Sequence, residues 1–96
     1  MICIRRIERN TAFKKDYKRE SKGKYRSTID DELQSVLIML INDKLLDQRY
    51  RDHDFSNNWS GYRECHIKPD LLLIYRKHDN DILRLARIGS HSELFG

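Results

Sequence analysis

Three histidines in the second half of the chain could carry acid–base chemistry. His53 lies in a polar segment, His66 in a predicted strand and His91 beyond the last predicted strand. An imidazole titrates near neutral pH, so it can take up or deliver a proton there. RNA cleavage needs a base for the 2′-hydroxyl, an acid for the leaving 5′-oxygen and a cation for the charged transition state. Arg87, near the end of the last predicted strand, can supply that cation. These residue types predict an endoribonuclease that needs no metal.

The same region could alternatively hold zinc, with His53, His66, Asp70 and His91 as the ligands. A His-x3-Asp spacing across a Pro-Asp turn is not an established zinc pattern, and the two cysteines are badly placed to complete one. The chain also has no glycine-rich phosphate loop, no nucleophile elbow and no carboxylate cluster of the two-metal type. We therefore expect neither a metal nor another cofactor.

The elements that must position these side chains follow from the spacing of apolar residues. Asn10 or Thr11 can cap a helix that runs to about Glu20, and apolar residues from Ile29 to Ile41 recur at helical spacing after Ser27 or Thr28. The predicted strands are Met1–Ile7, Trp59–Lys68, Leu71–Lys77 and Ile82–Ile88. The order β-α-α-β-β-β predicts a single α+β domain over residues 1–96, an antiparallel sheet with two helices packed on one face.

Alternation along the strand that ends at Lys68 separates its side chains into two sets. Cys65 and Ile67 point to one face, and the polar set on the other face is Tyr62, Glu64, His66 and Lys68. If the helices cover Cys65 and Ile67, the polar set faces solvent. Glu64 and Asp70 could alternatively do no more than balance neighbouring basic residues, and His78, in a predicted turn, is expected to be merely solvated.

The charge balance favours a polyanionic partner. Nineteen Lys and Arg against 15 Asp and Glu give a formal net charge of +4, which suits nucleic acid or an acidic protein. A non-catalytic RNA-binding or protein-binding module therefore remains an alternative to the enzyme. The chain has no apolar run of signal-peptide or membrane-spanning length and no CxxC pair, so we expect a cytoplasmic protein with reduced cysteines and no membrane partner.

Three segments of the second half resemble the YafQ family, a branch of the RelE superfamily of toxin–antitoxin ribonucleases. They are RDH at residues 51–53, WSGYRECHIKPDLLLIY at residues 59–75 and RIGSHSELF at residues 87–95. The resemblance implies a ribosome-dependent mRNA endonuclease toxin that inhibits translation. It also implies a toxin–antitoxin hetero-oligomer, in which a DNA-binding antitoxin holds the toxin inactive, and we expect the antitoxin to contribute an acidic segment.

The resemblance also carries site roles onto this chain. The positions that match the family's active site are His53, His66, Asp70, Arg87, His91 and Phe95, and Glu64 matches a residue implicated in some relatives. We expect His91 to be the acid and His66 or Asp70 the base, although these two roles could be exchanged. Arg87 would stabilise the transition state, His53 and Phe95 would position the RNA, and Glu64 and Lys68 would contact it. Some relatives have Trp where this chain has Leu71, so no base-stacking role is expected there.

Overall fold

A five-stranded sheet forms the centre of the protein. The computed structural model describes residues 5–54, 61–78 and 81–95. The strands are β1 (Arg6–Arg9), β2 (His53–Asp54), β3 (Arg63–Lys68), β4 (Leu71–His78) and β5 (Ile82–Gly89), and their spatial order is β1-β5-β4-β3-β2. The helices are α1 (Thr11–Glu20), α2 (Ile29–Ile41) and the short α3 (His91–Phe95), with a 3-10 turn at Gln48–Tyr50.

The two long helices begin where the sequence predicts. The Asn10 side chain accepts a hydrogen bond of 2.7 Å from the Phe13 N–H, so Asn10 is the N-cap of α1. Thr28 is at the N-cap position of α2, but its side chain makes no capping bond. Asp30, Asp31 and Glu32 fill the first turn of α2, where negative charge favours the helix dipole.

Both long helices pack on the same face of the sheet. Their buried residues meet those of β3, β4 and β5 in one apolar core, which includes Phe13, Ile29, Leu33, Val36, Leu40, Cys65, Ile67, Leu71, Leu73, Leu83, Leu85 and Ile88. Cys65 and Ile67 therefore lie under the helices, as predicted. Burial raises the pKa of the free Cys65 thiol well above its ordinary value, which makes it an inert core residue.

The structure confirms the α+β class and adds three features that the sequence analysis did not predict. β1 pairs in parallel with β5, from Arg6 opposite Ile82 to Arg9 opposite Leu85, so the sheet is not antiparallel throughout. Residue alternation reports which face a side chain takes and not the direction of the neighbouring strand. The strand β2 and the helix α3 are the other two additions. The predicted start of the first strand (residues 1–4) and Trp59 lie outside the described residues.

Candidate active site

The register of the sheet places the candidate residues in two rows on the face opposite the long helices. The first row, read from β2 to β5, is His53, Glu64, Ile74 and Arg87. The second, read from β3 to β5, is His66, Leu72 and Gly89. Residues paired across antiparallel strands point to the same face. We call this side of the sheet the site face.

A glutamate lies between two histidines at one end of the site face. Oε1 of Glu64 is 3.7 Å from Nε2 of His53 and 3.6 Å from Nε2 of His66. The two imidazole centroids are 6.3 Å apart. Both nitrogen–oxygen distances exceed an ordinary hydrogen bond, so each Nε2 retains its capacity to exchange a proton with a ligand.

Backbone carbonyls orient both imidazoles. Nδ1 of His53 is 2.5 Å from the carbonyl oxygen of Arg51, and Nδ1 of His66 is 3.3 Å from that of Pro69. A carbonyl oxygen can only accept, so Nδ1 must donate in both contacts. In the neutral rings the proton is then on Nδ1, and Nε2 is the basic nitrogen. Both basic nitrogens face Glu64.

A polar network holds β2, and with it His53, in place. Asp52, which precedes His53, accepts a hydrogen bond of 2.5 Å from the buried Tyr75 hydroxyl and one of 3.1 Å from Arg63. Arg63 also contacts Asp54, on the other side of His53, at 2.5 Å. Burial, together with the Asp52 carboxylate, raises the pKa of Tyr75, so its hydroxyl remains a donor.

Two members of the predicted polar row are placed differently from the expectation. Glu64 is only 8% exposed, so the prediction that it faces open solvent is wrong. Leu72 and Ile74 on the same face are each 1% exposed, so this part of the sheet is covered. The pairing shifts between His66 and Lys68, and the Lys68 ammonium lies 3.6 Å from Glu32 of α2. Lys68 therefore does not continue the row after His66, because the irregularity ends the alternation.

Asp70 belongs to a separate contact at the tip between β3 and β4. Its carboxylate accepts a hydrogen bond of 2.8 Å from Lys24 and another from the Tyr25 hydroxyl. These two donors, Lys24 first, lower the pKa of Asp70. A carboxylate stabilised in this way is a weak proton acceptor, and it anchors the segment between α1 and α2 rather than joining the two histidines.

Arg87 lies at the other end of the first row, where a buried carboxylate binds it. Its Nε is 2.5 Å from Oδ2 of Asp16 in α1, and the Arg87 side chain remains 28% exposed. The ion pair orients the guanidinium without removing it from solvent.

His91 is the first residue of α3, and a capping box holds this helix. The Ser90 hydroxyl accepts a hydrogen bond of 3.2 Å from the Glu93 N–H, and Glu93 in turn accepts one of 2.9 Å from the Ser90 N–H. This reciprocal pattern is the Ser-x-x-Glu signature of a helix start. The Ser90 amide is the main reason why the pKa of Glu93 is lowered. The rings of His91 and Phe95 are 4.8 Å apart between centroids.

The helix α3 packs on the site face. A Cβ atom on Gly89, which shares its row with His66, would lie 2.8 Å from Arg19, 3.3 Å from Leu94 and 3.4 Å from Glu93. The two intervening strand spacings separate Gly89 from His66 by about 9–10 Å. The helix α3, which carries His91 and Phe95, therefore lies beside the Gly89 end of the row that includes His66, although no contact among the described residues joins His91 to His53 or His66. No group of three or more potential metal ligands occurs within residues 5–54, 61–78 and 81–95.

A family model described as a bacterial toxin of type II toxin–antitoxin systems, YafQ, matches residues 5–96. The chain therefore belongs to the YafQ family of type II toxins, as the sequence resemblance predicted.

Individual relatives agree over nearly the whole chain. The mRNA interferase toxin YafQ of Escherichia coli strain B / BL21-DE3 is 40% identical over 93 residues, which is 96% of this chain and 97% of the relative. A crystal structure of the E. coli DinJ-YafQ complex has a chain that superposes with a TM-score of 0.83 at 39% identity, covering 96% of this chain and 99% of that one. A metal-bound toxin from Helicobacter pylori superposes with a TM-score of 0.84 at 39% identity and the same coverage.

Proposed function

We propose that the protein is a ribosome-dependent mRNA endonuclease toxin that inhibits translation by metal-independent acid–base cleavage. The observation that carries this proposal is the His53–Glu64–His66 cluster, in which both basic Nε2 atoms face one carboxylate. The relatives named mRNA interferase toxins support the substrate class. A toxin that acts on translated mRNA works in the cytoplasm.

The geometry favours His66 over Asp70 as the general base. Its Nδ1 donates to Pro69, so Nε2 can accept the proton of the 2′-hydroxyl. Glu64 lies close enough to stabilise the imidazolium that results. Asp70 already accepts from Lys24 and Tyr25 and lacks this freedom.

The remaining roles follow from position. His91 is exposed at the start of α3 and supplies the proton for the leaving 5′-oxygen. Arg87 stabilises the phosphorane with the part of its guanidinium that faces solvent. Phe95 stacks on a base, and His53, across Glu64 from His66, positions the RNA.

A basic pocket next to His66 supports RNA binding at the same site. It has a volume of about 340 Å³, and its lining includes Arg49, Arg51, His66, Lys68 and Pro69. Within the described part of the chain, Glu32 is the one carboxylate that lines it. Such a cluster of cations suits the phosphate backbone on one side of the scissile bond. Lys68 contacts the RNA from this pocket.

The proposed antitoxin docks on the opposite side of the sheet, in a groove between α1 and α2. The groove has a volume of about 820 Å³, and its apolar lining includes Leu33, Leu37, Ile38 and Ile41. Arg9 and Lys14 lie at its rim, and no ion pair within the described residues neutralises either of them, while Asp30 accepts a hydrogen bond from Tyr17. An amphipathic segment with acidic residues fits this charge pattern. A further part of the antitoxin would have to cover the site face or His91 to inhibit cleavage.

Single-turnover cleavage of a defined mRNA on saturating ribosomes tests the proposal. His66→Ala should slow cutting by at least about 100-fold, as expected for loss of a positioned acid or base. Affinity for the ribosome should change far less, because many cations share that task. A chelator of transition metals, used with enough magnesium to preserve ribosomes, should leave the rate of the unmodified protein unchanged.

The control is His78→Ala. His78 ends β4 six residues beyond Leu72, which pairs with His66, so the two histidines lie about 20 Å apart along the strand direction. Equal rates for His66→Ala and His78→Ala, or binding of ribosomes without any cleavage, would favour the non-catalytic module instead. Loss of activity with the chelator would bring back the metal site.

A further inference from the structure

A buried carboxylate of α1 makes more contacts than any single ion pair would require. Asp16 is 4% exposed, and its oxygens accept from Arg87 Nε at 2.5 Å, Arg87 Nη2 at 3.2 Å and Arg19 Nη1 at 3.1 Å. A fourth donor, the backbone N–H of Ile88, lies at 3.2 Å. Three of the four donors come from β5, and the fourth, Arg19, belongs to α1.

The contact with Ile88 places Asp16 at an open edge of the sheet. The pairing of β1 with β5 ends at Arg9 and Leu85, so among the described residues no strand adjoins β5 on this side from residue 86 onward. Asp16 accepts the N–H that a strand would otherwise accept. The carboxylate is therefore fixed by the backbone of the very strand that carries Arg87.

This anchorage determines where the Arg87 guanidinium points. Two of its three nitrogens are bound to Asp16, which leaves Nη1 for a ligand. A free arginine side chain samples many rotamers, and holding one of them in advance reduces the ordering cost of binding a transition state.

The same carboxylate reaches α3 through Arg19. Nε of Arg19 is 2.9 Å from Glu93 Oε2, and Nη2 is 3.3 Å from the Ile88 carbonyl oxygen. Glu93 is the capping-box residue of the helix that begins with His91. Asp16, Arg19 and Glu93 thus form a chain of contacts from α1 to the helix that carries the proposed acid.

We propose that Asp16 is a positioning residue that fixes Arg87 for the transition state and, through Arg19, holds α3 and His91 against the sheet. This role rests on the proposed nuclease function. Asp16 does not touch RNA, because it is buried beneath the two arginines that it orients.

A double-mutant cycle tests the role. Asp16→Asn should lower the single-turnover cleavage rate by about 10-fold or more, with ribosome affinity little changed, because positioning affects the chemical step. In an Arg87→Gln background the same change should cost clearly less than it does alone, with the remainder acting through Arg19 and α3, since one of the two residues that Asp16 orients is already gone. Asp16→Glu, which keeps the charge, should restore part of the rate.

The matched control is Glu8→Gln. Glu8 of β1 forms an ion pair of 3.1 Å with Arg84, another arginine of β5. The Glu8→Gln substitution should leave the cleavage rate unchanged. An effect of Asp16→Asn that is equally large with and without Arg87, or a fully active and folded Asp16→Asn protein, would overturn the proposal.

A second measurement does not depend on cleavage. In the unmodified protein the Arg87 Nε–H should be protected from exchange and give a sharp nitrogen–proton NMR signal, and Asp16→Asn should remove that protection. Arg19→Gln, which leaves the Asp16–Arg87 pair intact, serves as the second variant if Asp16→Asn does not fold. Arg19→Gln should preserve the Arg87 signal and still slow cleavage. An Arg19→Gln protein that keeps both the Arg87 signal and the full cleavage rate would contradict the link to α3. If the unmodified protein shows the protected signal but cuts no RNA, the nuclease function fails and the anchorage stands.

Discussion

A backbone carbonyl, rather than another side chain, sets the tautomer of each clustered histidine. Arg51 and Pro69 provide these carbonyls, and Arg51 is held in a left-handed conformation with φ of 50°. The two loops next to β2 and β3 therefore orient the imidazoles, and Glu64 stabilises whichever ring carries the second proton. This division leaves both Nε2 atoms available for chemistry.

His66 and His91 should act as one catalytic unit. Each change to alanine removes one half of a coupled proton transfer, so the double variant should lose much less than the product of the two single losses. Single-turnover cleavage of the two single variants and the double variant on saturating ribosomes measures this. Multiplicative losses would mean that the two histidines contribute to separate steps.

Gly89 tests whether α3 must lie close to the sheet. An alanine Cβ would lie 2.8 Å from the end of the Arg19 side chain and 3.3 Å from Leu94, so the Arg19 guanidinium must move and Leu94 must give way by a few tenths of an ångström. We expect Gly89→Ala to lower Tm by about 4–8 °C and to slow cleavage about 10-fold. Thermal unfolding and the cleavage assay measure the two effects.

The matched change is Gly23→Ala. A Cβ there would meet nothing closer than 3.6 Å, and reduced freedom of the unfolded chain should leave stability equal or slightly higher. A Gly89→Ala protein as active as Gly23→Ala would show that α3 need not pack so closely.

At the level of elements, the sequence predicts α1 and α2 well because their caps and apolar spacing are local. The helix α3 also had a local signature, the Ser-x-x-Glu of residues 90–93, from which no helix was predicted. The direction of β1 and the burial of Glu64 could not be predicted, because both depend on distant parts of the chain. The Asp16–Arg87 pair is of the same kind, since its partners are 71 residues apart.

Asp43 joins the end of α2 to the sheet, and its charge makes this link depend on pH. Its Oδ1 lies 2.7 Å from Arg5 Nε and 2.9 Å from Lys77 Nζ. Hydrogen bonding from Arg5 first, and then from Lys77, lowers the pKa of Asp43. A lowered folded-state pKa means that the stabilisation is present above the unfolded value of about 3.9 and is lost as pH falls through the folded value.

We therefore expect Asp43→Asn to lower Tm by about 1–5 °C at neutral pH, because the pairs are partly exposed. Asparagine tolerates the left-handed backbone at this position, where φ is 55°. The difference from the unmodified protein should shrink as pH falls below about 4 towards the lowered pKa of Asp43 in the folded protein, which thermal unfolding from pH 7 to pH 3 will measure. Asp81→Asn, at an exposed turn position before β5 without an ion pair among the described residues, should show no such dependence. A Tm difference that stays constant with pH would contradict the charge argument.

At the scale of the whole molecule, the proposed nuclease site and the proposed antitoxin groove occupy opposite sides of the sheet. Two exposed apolar side chains allow the groove to be tested against the rest of the surface. Ile38 is 49% exposed and lines the groove, whereas Leu45 is 92% exposed and lies outside it. Ile38→Glu should weaken the complex with an acidic antitoxin segment at least about 10-fold. It should leave cleavage by the free toxin unchanged.

Leu45→Glu is the matched control and should alter neither property. Titration of each variant with the cognate antitoxin, together with the cleavage assay, makes the comparison. If both substitutions weaken the complex equally, or if neither weakens it, the antitoxin binds elsewhere on the molecule.

None of the helices in the described parts of the chain is long and apolar enough to cross a membrane.

The parallel pairing of β1 with β5 affects the time at which a newly made chain can complete its fold. Arg6 pairs with Ile82, so during synthesis the first of these strands waits for nearly the whole chain before it finds its partner. Closing so long a loop is slow compared with local pairing. Arg87, later in the same strand, and His91 in α3 emerge after the residues that pair with β1. With the proposed function, this topology delays assembly of the nuclease site until β5 and α3 have been made and β1 has found its partner.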